Sequence, residues 1–305
     1  MSDSTNWPPI RSLWRYDDPA ESERVFRVYL DPSRSQPPPA WKLEVETQIG
    51  RALALQRKFD EALAQLARVS EEMKAHACPR VEILVPLETA RIENDLGNIA
   101  AAIELATYAF RLAEQAEEFG LALDSAHMVA YIEEPEAAVE WGERALRIAE
   151  ESDVLAVHRW VGTLAVNLGH KYLDLTDFES AERCFHKALQ FRLAQGDDSR
   201  AREVECALAL VERLRGNTQV AWELQRVLYQ QCRDVGDPSG YVAEECGECL
   251  LALGRDDEAR PYFAEAYRLH SGSCWFPPTE SARLDRLAEL GGVGDLGVDG
   301  LTDAS

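Results

Sequence analysis

Residues 167–189 read NLGHKYLDLTDFESAERCFHKAL, and this stretch decides the fold. Its first half carries Leu168, Gly169 and Tyr172 at helical spacing, and its second half carries Phe178, Ala181, Phe185 and Ala188 at the same spacing. Thr176 and Asp177 lie between the halves, and such short polar side chains suit the start of a helix. The stretch therefore predicts two helices joined by a tight turn, and neither helix can bury its apolar stripe alone.

The same layout recurs along the chain. The second helix repeats its alanine at Ala62, Ala102, Ala138, Ala181, Ala221 and Ala259. Twelve residues before each alanine comes a second small residue, which we call the small position: Gly50, Ala90, Ala126, Gly169, Ala209 and Gly247. The intervals between successive alanines are 40, 36, 43, 40 and 38 residues, taken as differences of their numbers. A constant spacing within pairs and a variable spacing between pairs indicates that the helix pair is the repeating unit.

These residues resemble the tetratricopeptide repeat family over roughly residues 40–270. The strongest matches are NLGHKYLDLTDFESAERCFHKAL, ECGECLLALGRDDEARPYFAEAY (245–267) and IGRALALQRKFDEALAQL (49–66). The family period is ~34 residues, so the chain is similar to the extended-period type and to stand-alone bacterial proteins of this kind. Ala90, Ala126 and Ala209 replace the usual glycine, and the family's first-helix tryptophan is missing. The resemblance implies an all-α, right-handed α-solenoid of about six helix pairs with capping helices at both ends.

The chain divides accordingly into four predicted segments. Residues 1–40 contain a capping helix at 18–30 and a Pro-rich linker, and residues 41–270 contain the six repeats. Residues 271–290 form a loop and a closing helix, and the Gly/Asp-rich residues 291–305 form a flexible tail. Terminal repeats need a cover over their apolar face, which the two outer helices would supply. Trp7, Trp14 and Trp275 lie in these end segments and either anchor them to the array or form a partner surface.

Composition narrows the classes of partner and compartment. The formal net charge is −22, and without a basic tract this argues against nucleic acid and anionic membranes as partners. The sequence contains neither a long apolar run nor an apolar signal segment, so we expect a cytoplasmic protein. Seven scattered cysteines favour reduced thiols. Cys246 and Cys249 lie inside a predicted first helix, which favours buried thiols over a redox or zinc pair, and we expect no cofactor and no metal.

In an array of this kind the first helices line the inner wall. The residue after the small position is Arg51, Arg91, His127 and His170 in the first four repeats, and we expect these side chains to face the groove. Thr47 and its counterparts three residues before the small position should flank the same surface. Asn94, Asn167 and Arg213 add polar groups that could bond a peptide backbone. The sequence thus predicts a non-catalytic scaffold for a protein or peptide segment, including an acidic one, or for a small anionic ligand.

Three alternatives remain open at this point. The arginines and histidines could instead pair with carboxylates of adjacent helices, such as Glu88 or Asp124. Asp124, His127 and His170 could form an enzymatic or metal site, because Asp124 lies one helical turn before His127. The array could also be a sensor that acts through a separate protein. The known carboxylate clamp of the resembled family is not reproduced, since Thr47 and Arg51 stand at its first-repeat positions.

Overall fold

The computed structural model describes residues 7–33, 35–272 and 280–293, and every regular element within these ranges is a helix. A short 3₁₀ helix at Ile10–Leu13 precedes α1 (Pro19–Tyr29). The six predicted pairs are α2 (Pro39–Leu55) with α3 (Phe59–Met73), α4 (Pro79–Asp95) with α5 (Ile99–Gln115), α6 (Phe119–Ile132) with α7 (Pro135–Glu151), α9 (Val161–Asp174) with α10 (Phe178–Ala194), α11 (Asp198–Leu214) with α12 (Thr218–Asp234), and α13 (Gly240–Ala252) with α14 (Asp256–Ser271). A short α8 (Leu155–His158) separates the third pair from the fourth, and α15 (Ser281–Gly291) follows the last pair.

The helices group into two compact units. Unit 1 comprises Met1–Trp160 and holds the first three pairs, and unit 2 comprises Val161–Ser305 and holds the other three. Within the ranges given above, no helix has the length and apolar character needed to cross a bilayer. Each unit is built from the same hairpin, in which a first helix packs against the second helix that follows it.

The small position explains how closely the two helices of a hairpin approach. All six small positions are buried. A Cβ built on Gly169 would lie 2.5 Å from the ring of Phe185, sixteen residues further on. The second repeat instead has Ala90 at the small position and Ala106 sixteen residues later, and both are fully buried. In these two repeats the glycine accompanies a large partner and the alanine a small one, which keeps the volume between the helices filled.

In five of the six repeats, the turn between the two helices contains a residue with a left-handed backbone conformation. These residues are Arg57, Gly97, Thr176, Gly216 and Gly254, with φ between 57° and 92°. In the fourth repeat, the Asp177 carboxylate then accepts a hydrogen bond from the Ser180 backbone N–H at 3.0 Å and caps α10. The predicted interruption at Thr176 and Asp177 is confirmed, because one residue reverses the chain and the next starts the new helix.

Both predicted capping helices are present. Asp18 caps α1 by accepting from the Glu21 backbone N–H at 2.9 Å, and α1 packs against α2. At the other end α15 packs against α14 and buries Leu287 completely. Part of the predicted loop at 271–290, including Trp275, lies outside the described residues, as does most of the predicted tail at 291–305.

The N-terminal aromatic residues attach the segment before α1 to the first repeat. The Trp7 ring lies 4.9 Å from the Trp41 ring, and the Trp41 indole N–H donates to the Pro8 carbonyl at 3.2 Å. Trp14 is 7% exposed and meets the edge of Phe26 at 5.2 Å. Trp7 and Trp14 thus contribute apolar contacts that hold the segment on α1 and α2.

Candidate functional site

Four charged side chains connect the three first helices of unit 1. Arg51 on α2 donates to the Glu88 carboxylate on α4 at 3.4 Å. Arg91, also on α4, donates to Glu88 at 3.0 Å and to Asp124 on α6 at 2.6 Å. We call Arg51, Glu88, Arg91 and Asp124 the charge ladder. Each arginine that the sequence assigned to the groove is therefore paired with a carboxylate of the same face.

The ladder is partly enclosed. The Glu88 side chain is only 1% exposed, whereas Asp124, Arg91 and Arg51 retain 20%, 22% and 31%. Burial raises the pKa of Asp124, but the charges of Arg91 and Arg51 outweigh burial, so the pKa lies below its usual value. The ladder contains two guanidinium groups and two carboxyl groups, so its formal charges balance. The face offers fixed donors and acceptors, and its arginines pair with Glu88 and Asp124, which is one of the alternatives that the sequence left open.

His127 lies next to the ladder on α6. Its ring is partly buried and its centroid is 6.0 Å from that of Trp160. Burial lowers the pKa of His127, Asp124 opposes this shift and Arg91 reinforces it, with a net decrease below the usual value. The imidazole is accordingly neutral at pH 7. His127 therefore adds no positive charge to this face at neutral pH, because desolvation disfavours the imidazolium.

The residues expected to flank the groove are buried in unit 1 instead. Thr47, Leu87 and Leu123 are all 0% exposed. The residues that flank the groove-facing side chains are those two positions before the small position, and they include Glu88 and Asp124. These residues lie three before Arg91 and His127, so they share a helix face with them. The same spacing could have identified this row from the sequence, whereas the partner of each side chain depends on how neighbouring repeats pack.

The segment before α1 borders the ladder at its first repeat. The Trp14 indole N–H donates to the Gln48 side chain on α2 at 3.0 Å. The Arg51 guanidinium lies 5.8 Å from the Trp14 ring centroid. Tyr16 stacks on Trp14 with a centroid distance of 5.3 Å and remains 43% exposed. The ladder thus begins beside an aromatic surface. Asn94 lies on α4, one helical turn beyond Arg91, and is partly buried.

The other candidate residues belong to unit 2. Asn167 and His170 lie on α9, and His170 is exposed with its ring edge-to-face on Phe185 at 5.2 Å. Arg213 on α11 forms two hydrogen bonds of 2.9 Å to Glu245 on α13. The pairing of unit 1 therefore recurs in unit 2: an arginine of one first helix binds a carboxylate of the next.

The cysteines of the CxxC match are buried thiols, as predicted. Cys246 and Cys249 are both 0% exposed and reduced. Burial raises the pKa of Cys249 to about 12, so the thiolate needed for redox or metal chemistry is disfavoured. Within the part of the chain that the structure describes, no three His, Cys, Asp or Glu side chains are arranged to hold a metal.

Comparison with known proteins places the fold. No family model matches the sequence, and no curated protein matches it. The apo form of RapI superposes with a TM-score of 0.61 at 16% identity, covering 83% of this chain and 96% of that one. A STAND signal-transduction ATPase with a tetratricopeptide repeat sensor, from Pyrococcus horikoshii, gives 0.62 at 14% identity over 89% of this chain and 41% of that one.

A third solved structure contains a ligand. The Rap conjugation gene regulator of plasmid pLS20, in complex with the Phr* peptide, gives a TM-score of 0.55 at 16% identity, covering 95% of this chain and 81% of that one. Identities this low carry information on the fold alone. Together with the repeated helix pairs, these likenesses show that the chain has the tetratricopeptide repeat type of α-solenoid fold.

Proposed function

We propose that the chain is a non-catalytic protein that recognises an extended peptide on the first-helix face of unit 1. The observation that carries this proposal is the charge ladder, which fixes guanidinium donors and carboxylate acceptors along three successive first helices. A peptide backbone carries one donor and one acceptor per residue, so a face with both kinds of group can bond to it.

Aromatic side chains beside the ladder support a peptide as the ligand. Tyr16 and Tyr131 are 43% and 55% exposed. Tyr131 follows His127 by four residues and so lies on the same helix face one turn further along. Tyrosine combines a large apolar surface with a hydroxyl, which suits contacts to peptide side chains. The Asn94 carboxamide is a further donor and acceptor on this face.

The pairing within the ladder favours a peptide over a small anion. A free carboxylate would compete with Glu88 and Asp124 for the two arginines, and Glu88 is almost fully buried. Displacing it would leave a buried charge without a partner, which costs several kcal/mol. The peptide complex of a Rap protein with the same fold supports the same choice of ligand class.

A sensor role is the second candidate, and it uses the same site. The structural neighbours include a tetratricopeptide repeat sensor of a STAND protein and the quorum sensor NprR from B. thuringiensis. In this form of the proposal the bound peptide alters a contact with a separate protein. We do not propose catalysis at Asp124 and His127, because Asp124 already binds Arg91 at 2.6 Å and its lowered pKa makes it a weak base.

The test begins with selection of peptides on the full-length chain from a random display library. The tightest peptide is then titrated by isothermal calorimetry against the unmodified chain, Arg51→Gln and Arg144→Gln. Arg51 stands at the end of the ladder and is the most exposed of its members, so its replacement leaves the other pair intact. Arg144 is the matched control, because it pairs with Glu114 at 2.8 Å on the second helices of unit 1.

We expect Arg51→Gln to weaken peptide binding about tenfold, the value of one charge-assisted hydrogen bond, and Arg144→Gln to leave it unchanged. Equal affinity in both variants would place the peptide elsewhere and overturn the proposal. Failure to select any peptide whose binding depends on Arg51 would have the same consequence.

A further inference from the structure

The second helices of successive repeats meet along a line that we call a seam. The seam between α5 and α7 in unit 1 is closed by two contacts. The Phe110 and Trp141 rings meet edge-to-face with their centroids 5.1 Å apart, and Arg144 binds Glu114 at 2.8 Å. An aromatic contact therefore fills this seam, and an ion pair covers it.

The seam between α12 and α14 in unit 2 follows the same design. Positions are compared by counting from the second-helix alanine of each repeat. Tyr229 and Tyr262 occupy the positions of the aromatic contact, and their ring centroids are 4.9 Å apart. Arg233 and Glu265 occupy the positions of the ion pair with the charges exchanged, and they lie 3.5 Å apart. The two contacts are thus a repeated way of closing a seam.

The seam between α10 and α12 has aliphatic residues at all four of these positions. Leu189 and Leu224 occupy the aromatic positions, and Leu193 and Val227 occupy the ion-pair positions. Leu193, Leu224 and Val227 are 53%, 46% and 48% exposed, and Val220, one helical turn before Leu224, is 49% exposed. We call Leu193, Val220, Leu224 and Val227 the apolar seam.

The arrangement of the apolar seam suits contact with another helix. Val220, Leu224 and Val227 follow each other at intervals of four and three residues, so they lie on one face of α12. This spacing is the one by which two helices pack side by side. Single exposed leucines are common on protein surfaces, whereas neighbouring exposed apolar residues mark a site of interaction.

The charges of the two helices indicate which partner fits. α10 contains three basic and two acidic residues, and α12 contains two of each, whereas the other four second helices of the repeats are net negative. A strongly acidic or strongly basic partner would find no matching net charge here. A second copy of this chain, whose net charge is also −22, meets the least repulsion at this surface.

A two-fold pair of copies also needs a surface that is complementary to itself. Glu223 and Arg226 are exposed, lie three residues apart on α12, and each directly precedes a residue of the apolar seam. When two α12 helices pack antiparallel about an axis near Leu224, Val220 of one copy lies opposite Val227 of the other. Glu223 of each copy then shares an edge with Arg226 of the other copy, so opposite charges meet twice.

We propose that the apolar seam binds the apolar seam of a second copy of this chain and forms a two-fold dimer through α12. The contact removes Leu193, Val220, Leu224 and Val227 from water, which supplies the main driving force. The charged residues at its rim fix the antiparallel orientation. The apolar seam lies on second helices of unit 2 and the charge ladder on first helices of unit 1, so this proposal is independent of peptide recognition.

The test is sedimentation equilibrium of the full chain from about 1 to 200 µM, which brackets the affinities of weak and moderate dimers. The unmodified chain is compared with Val227→Glu and Tyr108→Glu. Tyr108 is the matched control, because it has the same position on α5 as Val227 has on α12 and is also 48% exposed. A second set compares Arg226→Glu with the exchange Glu223→Arg/Arg226→Glu. Melting followed by circular dichroism shows that each variant is folded.

We expect the unmodified chain to dimerise with a Kd of about 10 µM or tighter. Val227→Glu should weaken the dimer at least ~100-fold, because a carboxylate enters the apolar contact twice, and Tyr108→Glu should leave it unchanged. Arg226→Glu should weaken the dimer about tenfold at low salt, and the exchange should restore most of the affinity.

Two results would overturn the proposal. One is a chain that stays monomeric up to ~200 µM, which would assign the apolar seam to a different protein. The other is a dimer whose Kd is the same for Val227→Glu and the unmodified chain, which would place the contact between copies elsewhere. If Val227→Glu does not fold, the comparison of Arg226→Glu with the exchange decides, because failure of the exchange to restore affinity contradicts the two-fold contact.

Discussion

The two units share one hairpin design but differ at the hairpin's open end. We define the open end by two residues of each hairpin. The first lies on the first helix, seven residues before the small position, and the second lies on the second helix, thirty residues after the first. In unit 1 these pairs are Leu43 and Met73, Ile83 and Ala113, and Phe119 and Ala149; in unit 2 they are Gly162 and Arg192, Arg202 and Cys232, and Gly240 and His270. The small position itself is a buried glycine or alanine in both units.

This difference separates what the fold requires from what it permits. Helices that nearly touch at the small position leave no room for a larger side chain in either unit. The open end can hold buried polar groups if partners are supplied, because an unpaired buried polar group is costly. Arg192 is 8% exposed, donates to the Thr163 hydroxyl at 3.0 Å and lies 3.6 Å from Asp197. Unit 2 thus has polar groups at positions where unit 1 has apolar side chains.

The largest expected effect on stability tests whether the fold requires close helix packing at the small position. Phe185→Ala should lower the free energy of unfolding by about 3–5 kcal/mol, because it leaves a void opposite Gly169. Gly169→Ala should cost about 1–3 kcal/mol, since its Cβ would press on the Phe185 ring. Urea unfolding followed by circular dichroism measures both.

The double variant Gly169→Ala/Phe185→Ala sharpens this test, because it recreates the native pair Ala90 and Ala106 of unit 1. We expect its loss of stability to be smaller than the sum of the two single losses, with a coupling of about 1 kcal/mol. Strict additivity would show that the two positions do not fill a common space.

The next largest effect on stability is expected when an arginine is removed from an ion pair, and it should differ between the two units. Arg91→Ala should lower the free energy of unfolding by about 2–4 kcal/mol, because Glu88 stays buried with only its longer contact to Arg51, at 3.4 Å. Arg213→Ala in unit 2 should cost less, about 1–2 kcal/mol, since Glu245 is 15% exposed and better solvated. Adding Glu88→Gln to Arg91→Ala should recover part of the loss. Equal losses for the two arginine variants would show that burial of the carboxylate does not set the cost.

A smaller effect, of opposite sign, is expected at the open end of unit 2. Arg192→Met introduces the residue type that repeat 1 has at this position. The Nε of Arg192 is buried without a hydrogen-bond partner among the described residues, and Asp197 remains 33% exposed to solvent. Replacement of such a group by an apolar one should leave stability unchanged or raise it by up to about 1 kcal/mol. A loss above about 2 kcal/mol would mean that the polar contacts of unit 2 are needed for folding.

The smallest effect is a pH dependence that involves His127 of unit 1. The pKa of His127 in the folded chain lies below that of the unfolded chain, so the unfolded state binds more protons as the pH falls below about 6.5. The contribution of His127 to stability is therefore complete above that pH and decreases towards pH 5. His127→Gln should reduce the change in melting temperature between pH 7.5 and pH 5.5. His186→Gln is the control, because His186 is 57% exposed, and an unchanged pH profile in both variants would contradict the assignment.

The sequence determined the repeating hairpin, and the reason is local. Apolar periodicity, the constant twelve-residue spacing and the polar turn residues all act within one hairpin, where helix geometry alone fixes which side chains meet. This is why the six pairs, the two capping helices and the buried CxxC cysteines could be predicted from 167–189 outward.

Only the tertiary structure decided which charges meet. Arg51 and Glu88, or Arg91 and Asp124, lie more than thirty residues apart on different first helices, so their pairing depends on the packing of one repeat on the next. The neutral state of His127 also follows from its burial against neighbouring helices. The pattern within a helix identifies a face, whereas the electrostatic state of that face depends on the residues that neighbouring helices bring to it.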